Sequence, residues 1–160
     1  VKRFYPEDKI FQIKAPGTIE GGDVMMCGDI FYVGLSDRTN EEGVRQFAAI
    51  LEPFGCKVVG VPLTEVLHLK TGVVYLENGV LLAAGEFLTK PAFEGYTKIE
   101  VPADEAYAAN CIWVNGTVIV PEGYPKVLAA VQEAGYKTLV CDTSEYRKID
   151  GGLSCLSLRF

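Results

Sequence analysis

Cys111-Ile112-Trp113-Val114-Asn115-Gly116-Thr117-Val118-Ile119-Val120 is one apolar run, a two-residue break and a second apolar run. Asn-Gly between two β-prone segments signals a hairpin, because both residues tolerate the positive φ of a type I′ turn and that turn matches strand twist. The Asn115-Gly116-Thr117 triplet also fits a glycosylation sequon, but its place between two strands makes it a turn. The same figure stands upstream. Val73-Val74-Tyr75-Leu76, then Glu77 and an Asn78-Gly79 turn, lead into Val80-Leu81-Leu82-Ala83. Earlier still, Val24-Met25-Met26-Cys27, a Gly28-Asp29 turn and Ile30-Phe31-Tyr32-Val33 do likewise. Three hairpins of one design mark a repeat architecture.

A helical segment and a further strand complete each unit. Val44, Phe47, Ala48 and Leu51 fall at i, i+3, i+4 and i+7, the stripe of an amphipathic helix. Thr39 or Asn40 can cap its start and Gly55 can end it, after which Lys57-Val58-Val59-Gly60-Val61 reads as a strand. The third unit copies this with a Tyr124, Val127, Leu128 and Val131 stripe, a Gly135 stop and the strand Lys137-Thr138-Leu139-Val140-Cys141. The middle unit is abbreviated, with Pro91-Ala92-Phe93 in place of a full helix before Lys98-Ile99-Glu100-Val101. The expected fold is therefore α/β, a chain of ββαβ units of about 40 to 50 residues each. They are bounded near 17–63, 64–103 and 104–144. Ahead of them, Lys9-Ile10-Phe11-Gln12-Ile13 alternates like a strand, and Val1 to Tyr5 reads as the end of a helix stopped by Pro6. Behind them, residues 150–160 are β-prone and are expected to form the first strand of an incomplete fourth unit. A chain that opens on Val1 in mid-element is expected to be a piece of a longer protein.

Composition bounds the rest. The 160 residues are 49% hydrophobic and 22% charged, which suits one globular domain with a real core. A net charge of −6 and a pI of about 4.8 argue against a nucleic-acid backbone as partner. No apolar run approaches the roughly 18 residues of a membrane helix, and Val1-Lys2-Arg3-Phe4-Tyr5 lacks the apolar core of a signal peptide. Five scattered cysteines, no C-x-x-C pair and a single histidine speak against a disulfide framework or a zinc site, so a cytoplasmic protein is expected. No metal and no cofactor are called for.

A reactive or polar group stands before each hairpin. The approaches are Gly17-Thr18-Ile19-Glu20-Gly21-Gly22-Asp23, Leu67-His68-Leu69-Lys70-Thr71-Gly72, Tyr107-Ala108-Ala109-Asn110 and Gly151-Gly152-Leu153-Ser154-Cys155. Units arranged about a pseudo-rotation axis would bring Glu20, His68, Asn110 and Cys155 together. A thiol, an imidazole and a carboxylate so gathered are a nucleophile, its acid/base and the group that orients the base. Each has a plainer explanation. Free cysteines are common core residues, and Cys27, Cys111 and Cys141 are read that way. A solitary histidine is more often packed than catalytic. Glu20 can be a polar loop residue, and Arg38, in Ser36-Asp37-Arg38-Thr39-Asn40, a solvated charge beside a helix cap. Spacing alone leaves the choice open.

The motifs carry a resemblance. Glu20-Gly21-Gly22-Asp23, Ser36 to Asn40, Leu67 to Gly72, Ala109-Asn110-Cys111-Ile112-Trp113-Val114-Asn115 and Lys148-Ile149-Asp150-Gly151-Gly152-Leu153-Ser154-Cys155 resemble, in order and over nearly the whole chain, the bacterial dimethylarginine dimethylaminohydrolases. These belong to the guanidino-group modifying (pentein) superfamily. The resemblance implies a five-bladed β/α propeller, of which about three blades and a closing strand are present here. It implies Cys155 as nucleophile, His68 as general acid/base and Glu20 as the carboxylate that holds His68. Arg38 would grip the substrate's α-carboxylate, and Ile149 would offer its backbone carbonyl.

The implied reaction is hydrolysis of N-ω-methylated arginine to citrulline and a methylated amine through a Cys-bound thiouronium. The alternatives are hydrolysis of arginine or agmatine, or a non-catalytic pentein piece that serves as a binding or assembly module. Arginine deiminases and amidinotransferases carry His-x-Asp where this chain has His68-Leu69-Lys70. A carboxylate missing there suits an alkylated nitrogen with fewer N–H groups to offer. The absent N-terminal blades would hold further acidic residues for the guanidinium and another arginine for the carboxylate. The piece alone is thus expected to be weakly active or inactive. Its uncovered apolar edges would need a missing N-terminal segment or a homo-oligomer.

Overall fold

In the computed structural model, which describes residues 3–157, the chain builds three separate three-stranded sheets. The first holds β1 (Val24–Cys27), β2 (Ile30–Leu35) and β3 (Lys57–Pro62). The second holds β4 (Val73–Tyr75), β5 (Val80–Ala83) and β6 (Thr97–Glu100), and the third β7 (Ile112–Val114), β8 (Thr117–Pro121) and β9 (Lys137–Cys141). In every sheet the hairpin is antiparallel and the third strand returns parallel to the second, which takes the centre. A parallel return needs a crossover. It is α1 (Glu41–Leu51) in the first unit, and the second unit opens with the one-turn α2 (Leu69–Gly72) before its hairpin. The second crossover shrinks to 3-10 turns at Gly85–Leu88 and Pro91–Phe93, and the third is α3 (Pro125–Glu133), followed after β9 by α4 (Ser144–Arg147).

Local chemistry sets these elements. Asn115 and Gly116 take φ of 50° and 74°, the left-handed pair that the third hairpin demands. The middle loop is one residue longer, since Glu77 joins Asn78 and Gly79 at positive φ and Leu76 N donates to Val80 O at 2.9 Å. Asn40 caps α1, its Oδ1 accepting from Gly43 N at 2.8 Å, while Thr39 is drawn elsewhere. At α3 the cap comes from a distance. Buried Glu105 accepts from Lys126 N and Val127 N at 3.2 and 2.8 Å, which places a negative charge at the helix's positive end.

The central strand β5 of the middle sheet is buried on both faces, which explains its uninterrupted apolar run. Leu81 and Ala83 point into a cluster with Met25, Tyr32, Val61 and Leu69, while Leu82 joins Val118, Val120, Val127 and Val131 on the other side. Phe87 and Phe93 from the shortened crossover are fully buried, and truncating either to alanine costs about 3–5 kcal/mol. Among the described residues no helix is long and apolar enough to cross a membrane.

Three expectations give way. Lys9–Ile13 is no strand: Glu7–Lys9 is a 3-10 turn and the residues after it pair with no strand, while Val1 and Lys2 lie outside the described residues. The closing strand expected over 150–160 is absent through residue 157, and residues 158–160 lie outside the described range. In its place the chain turns back on itself, with Cys155 N and Leu156 N both donating to Gly152 O at 3.1 and 3.2 Å. β-propensity expresses itself only beside a ladder partner, and no described strand runs alongside. Cys141 is exposed, not packed, because β9 borders the third sheet with Leu139 and Val140 also 56% and 44% exposed.

Candidate active site

Three of the four approaches meet around a cavity of about 400 Å³ whose wall carries His68, Tyr107, Asn110, Arg147, Gly152 and Cys155; Glu20, from the first, is not on that wall and reaches it only through its contact with His68. A larger surface hollow of about 520 Å³ lies between residues 35–41 and 63–67 and holds neither the thiol nor the imidazole. The thiol and the imidazole share the smaller one.

His68 stands immediately before α2, with its side chain 15% exposed. Its Nε2 is 3.3 Å from Glu20 Oε1 and its Nδ1 is 3.4 Å from Asp23 Oδ1. The second contact falls short of a formed hydrogen bond, so Nδ1 is buried with a carboxylate in reach but not engaged. Asp23 itself is fully buried. Its Oδ2 accepts from Ser36 Oγ at 2.7 Å and Thr39 Oγ1 at 2.6 Å, and its Oδ1 accepts from Leu69 N at 3.1 Å. One carboxylate thereby ties the turn before β1, the turn before α1 and the start of α2, whose preceding residue is His68. Three donors make the burial of that charge tolerable. Thr39 Oγ1 also accepts from the Glu20 backbone N–H at 3.0 Å, so one hydroxyl joins the Asp23 carboxylate to the main chain at Glu20. Gly22 lies against the ring: a Cβ there would stand 3.0 Å from His68 Cγ and press on the imidazole.

Asp23 was not singled out from the sequence, although it closes the Glu20-Gly21-Gly22-Asp23 motif. The available signal was an acidic residue directly ahead of an apolar strand. Nothing local says that donors from residues 36, 39 and 69 converge on it.

The remaining candidates are less enclosed. Arg38, with a side chain 60% exposed, brings Nη1 to 3.5 Å from Glu20 Oε2, so Glu20 lies between a guanidinium and an imidazole. An ion pair so exposed is worth under about 1 kcal/mol. Ile149 follows α4, is 80% exposed and donates its N–H to Tyr146 O at 3.1 Å; it is not on the cavity wall, although its neighbour Asp150 is. Cys155 is exposed on the cavity wall, to which Cys27, Cys56, Cys111 and Cys141 contribute nothing. Burial pushes the Cys27 and Cys111 thiols up to about 12, which removes both as thiolate nucleophiles at neutral pH.

No family model matches the chain. The dimethylarginine dimethylaminohydrolase of Pseudomonas aeruginosa is 59% identical over 160 residues, 100% of this chain and 63% of that protein. The protein of the same name from Streptomyces coelicolor is 34% identical over 145 residues, covering 90% of this chain and 55% of its own length. A solved structure of the P. aeruginosa enzyme, a cysteine-to-serine mutant complexed with citrulline, matches with a TM-score of 0.96 at 58% identity, over 100% of this chain and 62% of that one. An amidinotransferase from the saxitoxin pathway of Microseira wollei matches with a TM-score of 0.74 at 19% identity, over 91% of this chain and 50% of that one, and shows a shared fold. The chain therefore spans less than two thirds of the length of these relatives.

Proposed function

We propose that this chain, a relative of the dimethylarginine dimethylaminohydrolases along its whole length and a bearer of the propeller-like pentein fold, supplies the nucleophile and the acid/base of a hydrolase acting on N-ω-methylated arginine. The observation that carries the proposal is that Cys155 and His68 line one cavity while carboxylates of Glu20 and Asp23 stand at the two ring nitrogens of His68.

The chemistry is that of those groups. The Cys155 thiolate adds to the guanidinium carbon, and the bond from that carbon to the methylated nitrogen breaks. His68 delivers a proton to the departing amine, leaving an S-linked thiouronium. Water then adds to the same carbon as His68 takes its proton, and cleavage of the C–S bond releases citrulline and the thiol. Dividing the displacement in two lets one imidazole act first as acid and then as base. Glu20 orients the ring, and Asp23 fixes the backbone at Leu69 next to it. Arg38 binds the substrate's α-carboxylate, for which its weak pairing with Glu20 leaves it available. Ile149 offers its backbone carbonyl from the turn after α4. Lys70 lies on the wall of a different cavity, of about 290 Å³, with Glu77 and Trp113. The preference for an alkylated guanidinium therefore rests on the residue type at position 70, where related enzymes carry aspartate, and not on a contact inside the cavity that holds Cys155. Turnover draws on more chain than these 160 residues, or on a second copy that covers the exposed third sheet.

Chloroacetamidine, a cationic amidine that alkylates by displacement of chloride, tests the site without requiring turnover. Peptide mapping should find Cys155 modified ahead of exposed Cys141, with dimethylarginine protecting it. Equal modification of the two, or no protection, defeats the proposal. Release of dimethylamine in preference to ammonia separates methylated arginine from arginine or agmatine as substrate.

A further inference from the structure

We infer that Tyr107 and Asn110 are positioning residues for Cys155, aiming its thiol into the cavity from the third unit. The inference rests on the reading of Cys155 as nucleophile. Residues 150–157 form no strand, and their backbone bonds close locally: Gly151 N on Tyr146 O at 2.9 Å, Cys155 N on Gly152 O at 3.1 Å. Such a segment sets its own shape but not its place. Its place comes from two side chains at the approach to β7. The Tyr107 hydroxyl donates to Gly151 O at 2.7 Å, and Asn110 Oδ1 accepts from Ser154 N at 2.9 Å. The two bonds bracket Gly152-Leu153 and end one residue short of the thiol.

Both supports are themselves fixed. Asn110 is 8% exposed, and a Cβ on Gly152 would collide with its Nδ2, so the backbone at 152 lies flat against the amide. The Tyr107 ring stacks on Tyr124 with centroids 5.5 Å apart at 28°, and the Arg147 guanidinium lies 5.0 Å from its centroid. Thr143 Oγ1, 3.2 Å from the Tyr107 hydroxyl, can donate back to it. Buried Leu153 anchors the middle of the segment. A thiol hung from rigid points in this way keeps its distance to His68, and reactivity falls steeply when a reacting atom is displaced by about 1 Å.

The test compares chloroacetamidine, which needs the assembled site, with neutral iodoacetamide, which needs only an exposed thiol. Tyr107→Phe keeps the ring and loses the hydroxyl. Asn110→Ala loses the acceptor, and Asn110→Asp retains it. The ratio of the two alkylation rates at Cys155 should fall about tenfold in Tyr107→Phe and in Asn110→Ala, and recover in Asn110→Asp. Cys141 serves as reference, and buried Cys111 stays unmodified while the fold holds. An unchanged ratio in Tyr107→Phe with Cys111 still protected overturns the inference; should Asn110→Ala expose Cys111, Tyr107→Phe decides. If the wild-type chain shows no amidine preference at Cys155, it is the nucleophile assignment that fails. Hydrogen exchange at the Ser154 amide then reads the tether by itself: faster exchange in both variants supports it, equal exchange overturns it.

Discussion

His68 and Cys155 reach the same cavity by opposite means. The imidazole sits between carboxylates, one of them fully buried and fastened by three donors from two units. The thiol rides on an exposed turn held by two neutral hydrogen bonds to a third unit. A neutral hydrogen bond contributes about 1 kcal/mol, whereas stranding the donors around a buried charge costs several. The imidazole side is therefore built into the stability of the fold, and the thiol side into geometry alone. Damage to the first should appear as unfolding, and damage to the second as lost reactivity in a stable protein.

The sharpest way to break that contrast is Asp23→Ala, which leaves two hydroxyls and the Leu69 N–H without their buried acceptor. It should cost about 3–5 kcal/mol, read from denaturant unfolding. Wild-type stability for this variant would show that the imidazole side is no more anchored than the thiol side.

Acid offers the next largest effect. The Glu86 side chain is 6% exposed, and burial opposes its ionisation. The Lys90 ammonium and the Glu65 and Thr64 donors outweigh that and hold it at about 2. A carboxyl lower in the folded chain than its unfolded value of about 4.3 contributes stability above that pH and loses it as pH falls toward 2. Because Glu86 fastens Thr64 and Glu65, acid loosens the loop that leads to His68. Glu86→Gln should lower stability by about 2 kcal/mol near pH 6, with the gap to wild type closing by about pH 2. A gap that persists at low pH contradicts the assignment.

Gly152→Ala probes the other side. The added methyl collides with the Asn110 amide, so stability should fall by only about 1 kcal/mol while chloroacetamidine modification of Cys155 slows about tenfold. Smallest of all, Cys155→Ser should shift stability by no more than about 0.5 kcal/mol, since the residue is exposed, while removing modification at that position. A large loss of stability in Cys155→Ser would erase the distinction between the two sides.

Much of the scaffold was legible in residue order. The Asn115-Gly116 pair carries the backbone angles that its turn needs, and the Val44-to-Leu51 stripe lies on α1 with Asn40 as its cap. The C-terminal segment misled for a physical reason. Leu153 to Leu158 has strand-like composition, but through residue 157 the chain finds no strand to pair with and hydrogen-bonds to itself. Cys141 misled similarly, because a strand's apolar residues say nothing of whether anything covers its outer side. Glu105 caps α3 from a turn well upstream, outside any window in which capping signals are read.

Sequence alone determined the repeating hairpins, the helical crossovers and the kinds of side chain that precede each unit. Those depend on φ preferences, on periods of two and 3.6 residues and on capping groups within a turn of their targets. Tertiary structure alone decided that Asp23 meets Ser36, Thr39 and Leu69, and that Tyr107 and Asn110 carry the turn bearing Cys155. Such contacts join residues remote in sequence, and they form only once the packing of whole units has set the distances between them.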